Sequence, residues 1–220
     1  MVSAASDPSG RRLSQMVLNM RASLAAALSA FLTLTPLAVA SPVLAAERRM
    51  TGDEIRDIAR RELLWCEEYD AGKDDCEVVS LLRLRPDGSL SETSTLLLQA
   101  EPRLMVYIAD TDSIDGDRLC GKVEAQKIRF AFTLEGQAMS TEAAATLQAL
   151  FRSQMGEFEG KTLCQAFFRG DDPNVIREEI TVDGERRTDL ESTYHLHEGG
   201  AALNLRPQLS PEEDNERTTL

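Results

Sequence analysis

Apolar residues recur at helical spacing in two segments of the chain. In the first segment, residues 52–62, the recurring apolar positions are Ile55, Ile58 and Ala59, and Leu63 continues the spacing directly after it. Thr51 and Glu54 have the spacing of a capping box, in which each side chain accepts a hydrogen bond from the other residue's backbone amide. In the second segment, which begins at Ser140 or Thr141, the apolar stripe is Ala144, Leu147, Phe151 and Met155. We predict an amphipathic helix over each segment.

Alternating or continuous apolar runs predict strands in most of the remaining chain. The clearest alternation places Ile128, Phe130, Phe132 and Leu134 on one face. Residues 103–109 are apolar on both faces, which is typical of a strand that is covered on both sides. Turn-forming sequences, such as Pro86-Asp87-Gly88, separate the runs. The predicted strands are residues 64–69, 78–85, 90–98, 103–109, 123–134, 162–169, 175–182 and 186–196.

The order of these elements predicts an α+β fold. Most successive strands are joined by short turns, which favours antiparallel pairing. We therefore expect an antiparallel sheet of seven or eight strands with two helices, and a curled half-barrel is the other form that the pattern allows. Residues 46–209 are expected to form this single domain. Residues 210–220 are rich in proline and acidic residues and are expected to form a disordered acidic tail.

Residues 1–45 have the composition of a secretory signal peptide. Arg21 supplies a positive charge, an apolar run follows over residues 24–34, and small residues then lead to a cleavage site between Ala40 and Ala46. We therefore expect the remaining domain to be exported to an extracytoplasmic compartment, either periplasmic or secreted. No association with a membrane is expected after cleavage.

Two other interpretations of this leader are open. Residues 1–15 are rich in small and polar residues and fit poorly in front of a signal peptide, so Met16 or Met20 is an alternative start, and residues 1–19 are the segment that a mis-assigned start would add. Residues 22–46 are long enough to span a bilayer as a retained anchor, but Pro36 and several polar residues interrupt them. Cleavage is the favoured interpretation.

The part of the chain after the leader is strongly acidic. The formal net charge is −13, and residues 1–45 contribute +2 through three arginines and one aspartate, so the remainder carries −15. A surface of this charge repels phosphate backbones and anionic lipid heads. It therefore argues against nucleic-acid binding and binding to membrane surfaces, and it remains compatible with a cationic partner or a divalent ion.

The four cysteines, Cys66, Cys76, Cys120 and Cys164, all lie in the predicted exported part. Three pairings are possible, and we favour Cys66–Cys76 with Cys120–Cys164, because the first two flank a short polar loop. No C-x-x-C spacing occurs and the chain has 2 histidines, which favours structural disulfides over a metal or redox site. Trp65, the only tryptophan, is expected to pack on the Cys66 bridge.

One acidic segment is the strongest candidate for ion binding. Asp110, Asp112, Asp115 and Asp117 lie close together in it with a glycine, and hard cations need several oxygen ligands on a tight turn. The register of an EF-hand is broken, because Ile114 stands where an acidic ligand is expected. An ordinary solvated loop is the favoured interpretation, and a calcium site is the alternative.

Two further motifs are weaker. His195 and His197 could hold zinc or copper together with Glu191 or Glu198, but Tyr194 and Leu196 alternate with the histidines and are expected to face the core. The histidines are therefore predicted to face solvent. The segment from Gly156 to Thr162 resembles a phosphate-binding loop, but it is one residue too short and follows a helix instead of preceding one, so we interpret it as a chance similarity.

The sequence contains no nucleophile–base set and no cofactor-binding loop, so no cofactor is expected. Our leading hypothesis is a non-enzymatic binding or interaction module with an unidentified protein or small ligand as its partner. A carboxylate-dependent hydrolase outside the cytoplasm is the alternative, and two inward-facing acids with raised pKa values in a deep cleft would favour it. A calcium-dependent module is the third hypothesis. A closed cavity would point to a small ligand and a flat apolar patch to a protein partner.

Overall fold

The computed structural model describes residues 47–208. The predicted signal peptide and the predicted acidic tail lie outside these residues. The helices are α1 (Gly52–Arg60) and α2 (Thr141–Gln154). The strands are β1 (Arg48–Arg49), β2 (Leu64–Glu67), β3 (Asp75–Cys76), β4 (Val78–Leu84), β5 (Leu90–Gln99), β6 (Leu104–Asp115), β7 (Arg118–Lys122), β8 (Arg129–Leu134), β9 (Gln137–Ala138), β10 (Thr162–Arg169), β11 (Val175–Val182), β12 (Glu185–Arg186), β13 (Thr193–His197) and β14 (Asn204–Leu205).

Eight strands close into an antiparallel barrel. Strands β2, β4, β5, β6, β7, β10, β11 and β13 pair in that order, and β13 pairs back with β2. Each barrel strand is therefore hydrogen-bonded to the barrel strand that follows it in sequence. The predicted fold class, an antiparallel sheet of seven or eight strands with two helices, is confirmed. The sheet forms a closed barrel and not a half-barrel, because β7 pairs with β6 on one side and with β10 on the other.

Helix α1 seals one end of the barrel. The capping box at its start is present, with the Thr51 side chain bound to the Glu54 amide and the Glu54 side chain bound to the Thr51 amide. Its apolar face is buried against inward side chains of the barrel, as the helical spacing requires. This first core cluster consists of Met50, Ile55, Ile58, Ala59, Leu63, Trp65, Leu82, Leu90, Leu119, Phe167, Ile176, Tyr194 and Leu196.

Helix α2 packs on a second apolar cluster. Strand β8 pairs with the first half of β6 and extends the inner face of the sheet beyond the barrel. Phe151 of α2 contacts the rings of Phe130 and Phe132, with centroid separations of 5.6 and 5.8 Å. None of the residues of α2 is fully buried, in contrast to those of α1. The second helix is therefore docked less tightly than the first.

Two disulfides tie the strands together. Cys66 and Cys76 join β2 to β3, and Cys120 and Cys164 face each other across β7 and β10. This is the pairing that the sequence favoured, because Cys66 and Cys76 flank a short polar loop. The second bridge lies at the strand pair that closes the barrel, and it closes a loop with a sequence separation of 44 residues. Constraining a loop of that length in the unfolded chain contributes on the order of 4 kcal/mol to stability in the chain-entropy model.

Several local expectations were wrong. The strand predicted over residues 123–134 begins only at Arg129, and the strand at residues 103–109 is not covered on both faces, because Tyr107 is 36% exposed. The acidic segment at residues 110–115 is not a loop, because β6 continues through it to Asp115. Residues 186–196 do not form one strand: a short 3-10 turn, Thr188–Leu190, separates β12 from β13. Trp65 does not pack on the disulfide of Cys66, because consecutive residues of a strand point to opposite faces. Its ring contacts Phe167 and Tyr194, with centroid separations of 5.0 and 5.5 Å.

A search of residues 47–208 for membrane-spanning segments found no helix with the length and apolar character that crossing a bilayer requires.

We predict that Gly52→Ala destabilises the protein by about 2 kcal/mol. A Cβ atom at residue 52 would lie 2.4 Å from the carbonyl oxygen of Gly116 and 2.8 Å from Cγ2 of Ile114, so α1 would have to move away from the β6–β7 turn. Chemical denaturation measures the loss. Gly156→Ala is the matched control, because nothing lies within 4 Å of the added methyl group there. Equal effects of the two substitutions would contradict the close approach of α1.

Candidate ligand site inside the barrel

A band of polar side chains crosses the inner face of the barrel between the two apolar clusters. Strand β5 shows the pattern most clearly, because its inward residues run from Leu90 through Glu92 and Ser94 to Leu96. Leu90 belongs to the cluster of α1 and Leu96 to the cluster of α2. The inward polar residues are Glu67, Ser80, Glu92, Ser94, Asp110, Asp112, Gln165, Glu178 and Ser192.

Three of these residues, Glu92, Asp110 and Asp112, form a compact acidic group that we call the inner carboxylates. Glu92 on β5 is directly opposite Asp110 on β6, and Asp112 is two residues further along β6 on the same face. Directly opposed residues of antiparallel strands have Cβ atoms about 5 Å apart, and like charges in such positions repel. The strand register therefore brings three carboxyl groups together inside the barrel.

Burial and mutual repulsion raise the pKa values of two inner carboxylates. The pKa of Asp112 rises to about 7, first because burial disfavours its charged form and then because Glu92 and Asp110 repel it. The pKa of Glu92 is also raised, mainly by burial and further by the charges of Glu67 and Asp110. Hydrogen bonds from Ser94 and Ser80 act in the opposite direction on Glu92. Protonation of Glu92 and Asp112 is therefore favoured above the usual pH range for acidic side chains.

Gly121 makes room for Asp112. A Cβ atom at this position of β7 would lie 1.9 Å from Oδ1 of Asp112, so any larger residue would displace the carboxylate. The backbone of Gly121 does not have a positive φ, so the position requires glycine because a side chain would collide with Asp112. The position of Asp112 thus depends on its neighbour in the next strand.

A small cavity adjoins the inner carboxylates. Its lining includes Trp65, Ser80, Glu92, Gln165 and Tyr194, and its volume is about 20 Å³, which is room for about one water molecule. Trp65 is 3% exposed, and its Nε1 atom has no hydrogen-bond partner among the described residues. Hydroxyl groups connect the cavity to the acids, since Ser80 and Ser94 are 2.7 Å apart and Ser94 donates to Oε1 of Glu92 at 2.9 Å.

The polar band remains accessible to solvent. Glu92, Asp110 and Asp112 face the interior, yet each keeps part of its surface exposed. No arginine, lysine or histidine among residues 47–208 forms an ion pair with any of the three. When ionised, the inner carboxylates therefore have no basic partner in the described part of the chain.

The structure separates the four aspartates that the sequence grouped as one candidate ion site. Asp110 and Asp112 face the barrel interior, and Asp115 ends β6. Asp117 lies in the following turn, where its Oδ1 atom accepts a hydrogen bond from the backbone amide of Gly52 at 3.2 Å. Across residues 47–208, no group of three or more His, Cys, Asp or Glu side chains is arranged to hold a metal ion.

The two histidines lie on the outer face of β13, as their alternation with Tyr194 and Leu196 predicted. They are half-buried, because the ring of Tyr69 lies over both, with centroid separations of 5.0 Å to each. Burial and the neighbouring His195 lower the pKa of His197. The proposed acidic co-ligands are engaged elsewhere: Glu191 binds Arg186 at 2.6 Å and Glu198 binds Arg61 at 3.4 Å.

Sequence reasoning missed Glu92 and the role of Trp65. An acidic residue among serines and threonines suggests a solvent-facing position, and the period-two pattern of Leu90, Glu92, Ser94 and Leu96 was the signal that placed it inside.

Comparisons with known proteins add no relative: no protein-family model, no curated protein and no solved structure matches this chain.

We predict that Asp112→Asn stabilises the protein at pH 8 and has little effect at pH 4. The pKa of Asp112 is about 7 in the folded state against 3.8 for an ordinary aspartate, so between these pH values the folded state retains a proton that the unfolded chain has released. The contribution of this group to stability is thus complete below about pH 4 and is lost as the pH rises through 7. The side-chain amide of asparagine does not titrate, so the variant lacks this dependence of stability on pH.

Urea denaturation at both pH values measures the effect, and we expect a gain on the order of 2 kcal/mol at pH 8. Asp171→Asn makes the same change of charge in an exposed turn and is the control. If the two variants gained equally at pH 8, the stabilisation would reflect net charge and not the environment of Asp112.

Proposed function

We propose that this protein is a non-enzymatic binding module that works outside the cytoplasm and takes a small ligand into the interior of its barrel. One observation carries the proposal: the inner carboxylates are enclosed by the barrel wall, remain accessible to solvent, and have no ion-pair partner in the described chain. An arrangement that opposes folding persists where it serves binding or chemistry. Ligand sites commonly combine a concave interior with a few convergent polar groups.

The outer surface offers less support for a protein partner. Among residues 47–208, the exposed large apolar side chains are Tyr107 and Leu134, at 36% and 40% exposure. Surfaces that dock other proteins usually present a contiguous apolar patch of several hundred Å². The barrel interior is therefore the better candidate for the place where this protein recognises its ligand.

Two features support export. Disulfides persist in oxidising compartments, and the described residues contain two, Cys66–Cys76 and Cys120–Cys164, and no free cysteine. The apolar leader over residues 24–34, followed by small residues before Ala46, has the order of a secretory signal. Together they favour a periplasmic or secreted protein.

A carboxylate-dependent hydrolase is the second candidate, because Asp112 and Glu92 are inward-facing acids with raised pKa values. We rank it lower because the cavity of about 20 Å³ beside Glu92 cannot enclose the scissile group of a glycoside or ester, whereas the binding proposal requires it to admit a single ligand atom. Chromogenic glycosides and esters distinguish the two candidates. Turnover that is lost in both Glu92→Gln and Asp112→Asn, but not in Asp171→Asn, would replace the binding module with the hydrolase.

Native mass spectrometry of the exported protein, isolated from its source, tests the binding proposal. We expect a small-molecule mass in addition to that of the chain. Ser94→Phe should lose this mass, because Ser94 points into the interior and the larger ring fills it. Thr93→Phe, its neighbour on the opposite face of β5, should retain it.

Circular dichroism confirms that each variant is folded, and Ser94→Leu replaces Ser94→Phe if the larger ring prevents folding. A wild-type protein that carries no additional mass, or a bound molecule that the filled variants retain, would overturn the proposed site.

A further inference from the structure

We infer that the ligand of the barrel interior is a small organic amine that also carries an oxygen acceptor, with its ammonium group at the inner carboxylates and its oxygen at Trp65. This inference rests on the proposed function, since it names the chemical class of the ligand for the same site. It follows from two independent features, the charge of the inner carboxylates and the hydrogen-bonding state of the indole.

The charge of the site selects a cation. Glu92 and Asp110 are directly opposed, Asp112 follows on the same face, and none of the three is paired with a basic side chain in the described chain. A cation among them relieves their mutual repulsion and restores the charged forms that burial disfavours. An anionic ligand would add to the repulsion, and a neutral ligand would leave it unchanged.

The geometry favours an ammonium group over a metal ion. Within residues 47–208 no set of three His, Cys, Asp or Glu side chains is arranged to ligate a metal. Part of the acceptor capacity is already used, because Ser94 donates to Glu92 and the backbone amide of Thr111 donates to Asp110 at 2.7 Å. An ammonium group offers three hydrogen-bond donors and tolerates partly occupied carboxylates, whereas Ca²⁺ requires six to eight oxygen ligands.

The indole of Trp65 selects an oxygen acceptor. An indole Nε1 can only donate, and that of Trp65 is buried without a partner among the described residues although a buried donor normally has one. Trp65 and Glu92 line the same cavity of about 20 Å³, which admits a hydroxyl or carbonyl oxygen but no large group. A ligand that satisfies both residues carries an oxygen acceptor in addition to its amine, as an amino alcohol does.

The chain contains one tryptophan, so intrinsic tryptophan fluorescence reports on this cavity alone. We would titrate the protein with three probes of similar size at constant ionic strength: ethanolamine, ethylamine and ethylene glycol. Ethanolamine carries both the charge and the oxygen, and each of the other two lacks one of them. We expect ethanolamine to bind at least fivefold more tightly than ethylamine, and ethylene glycol to cause no shift in emission.

Variants assign the two contacts. Glu92→Gln should weaken ethanolamine binding at least tenfold, and Asp171→Asn, in an exposed turn, should leave it unchanged. Trp65→Phe, followed by calorimetry because it removes the fluorophore, should reduce the affinity for ethanolamine to that for ethylamine. If Trp65→Phe does not fold, the ratio of the two affinities in the wild-type protein still tests the role of the oxygen.

The outcomes separate this inference from the proposed function. Equal affinity for ethanolamine and ethylamine would overturn the oxygen contact and leave a water molecule as the partner of Trp65. Binding of Ca²⁺ that depends on Glu92 and excludes ethanolamine would overturn the amine. A neutral or anionic molecule found in the interior by native mass spectrometry would overturn the inference and uphold the binding module. The absence of any bound molecule, together with no fluorescence response, would defeat both.

Discussion

The closure of the barrel depends on a single long strand that changes its partner. The first half of β6, residues 104–109, pairs with β8, and the last residues, from Ser113 to Asp115, pair with β7. Strand β7 in turn pairs with β10, and that contact completes the ring. If β6 ended where its apolar residues end, β7 would have no neighbour on that side and the sheet would remain open. The acidic segment is therefore required for closure of the barrel.

Closure also creates the electrostatic cost of the interior. Because side chains alternate along a strand, continuing β6 inevitably turns Asp110 and Asp112 toward Glu92. Like charges in directly opposed positions of neighbouring strands repel and destabilise the sheet. The Cys120–Cys164 bridge joins β7 to β10, the strand pair that closes the barrel, and contributes stabilisation on the order of 4 kcal/mol. The bridge therefore holds the strand pair that closes the barrel, whereas the opposed acids lie on β5 and β6, where protonation or a bound cation can relieve their repulsion.

Local sequence patterns were sufficient to predict the features that depend on neighbouring residues. The capping box at Thr51, the apolar stripes of both helices and most strands are of this kind. The extension of β6 was not predictable in this way, because aspartate, which recurs three times in residues 110–115, has low strand propensity, and the pairing with β5 and β7 keeps the segment extended. Long-range pairing overrode local preference at the segment that carries the candidate site.

The same difference between local patterns and long-range pairing explains which candidate residues could be placed from the sequence. Four nearby aspartates looked like one ion-binding loop, whereas the strand directs two of them inward and leaves Asp117 to bind the first amide of α1. Trp65 was expected on the disulfide side, although the alternation of strand residues requires Trp65 and Cys66 to face opposite ways. The two-residue period of side chains along a strand would have been enough to avoid that error. The position of Glu92 required knowledge of which face of β5 is enclosed.

The unequal docking of the two helices indicates how a ligand reaches the inner carboxylates. At one end of the barrel, Met50, Ile55 and Ile58 are at most 2% exposed, so α1 forms a sealed base. At the other end, every residue of α2 retains some exposure, and its apolar stripe rests on partly buried rings such as Phe130. Opening a path beside α2 therefore costs less buried apolar area than opening one beside α1. If the polar band binds a ligand as proposed, the side of α2 is the route of entry that requires less disruption of packing, and the tightly packed base at α1 would keep the carboxylates in place.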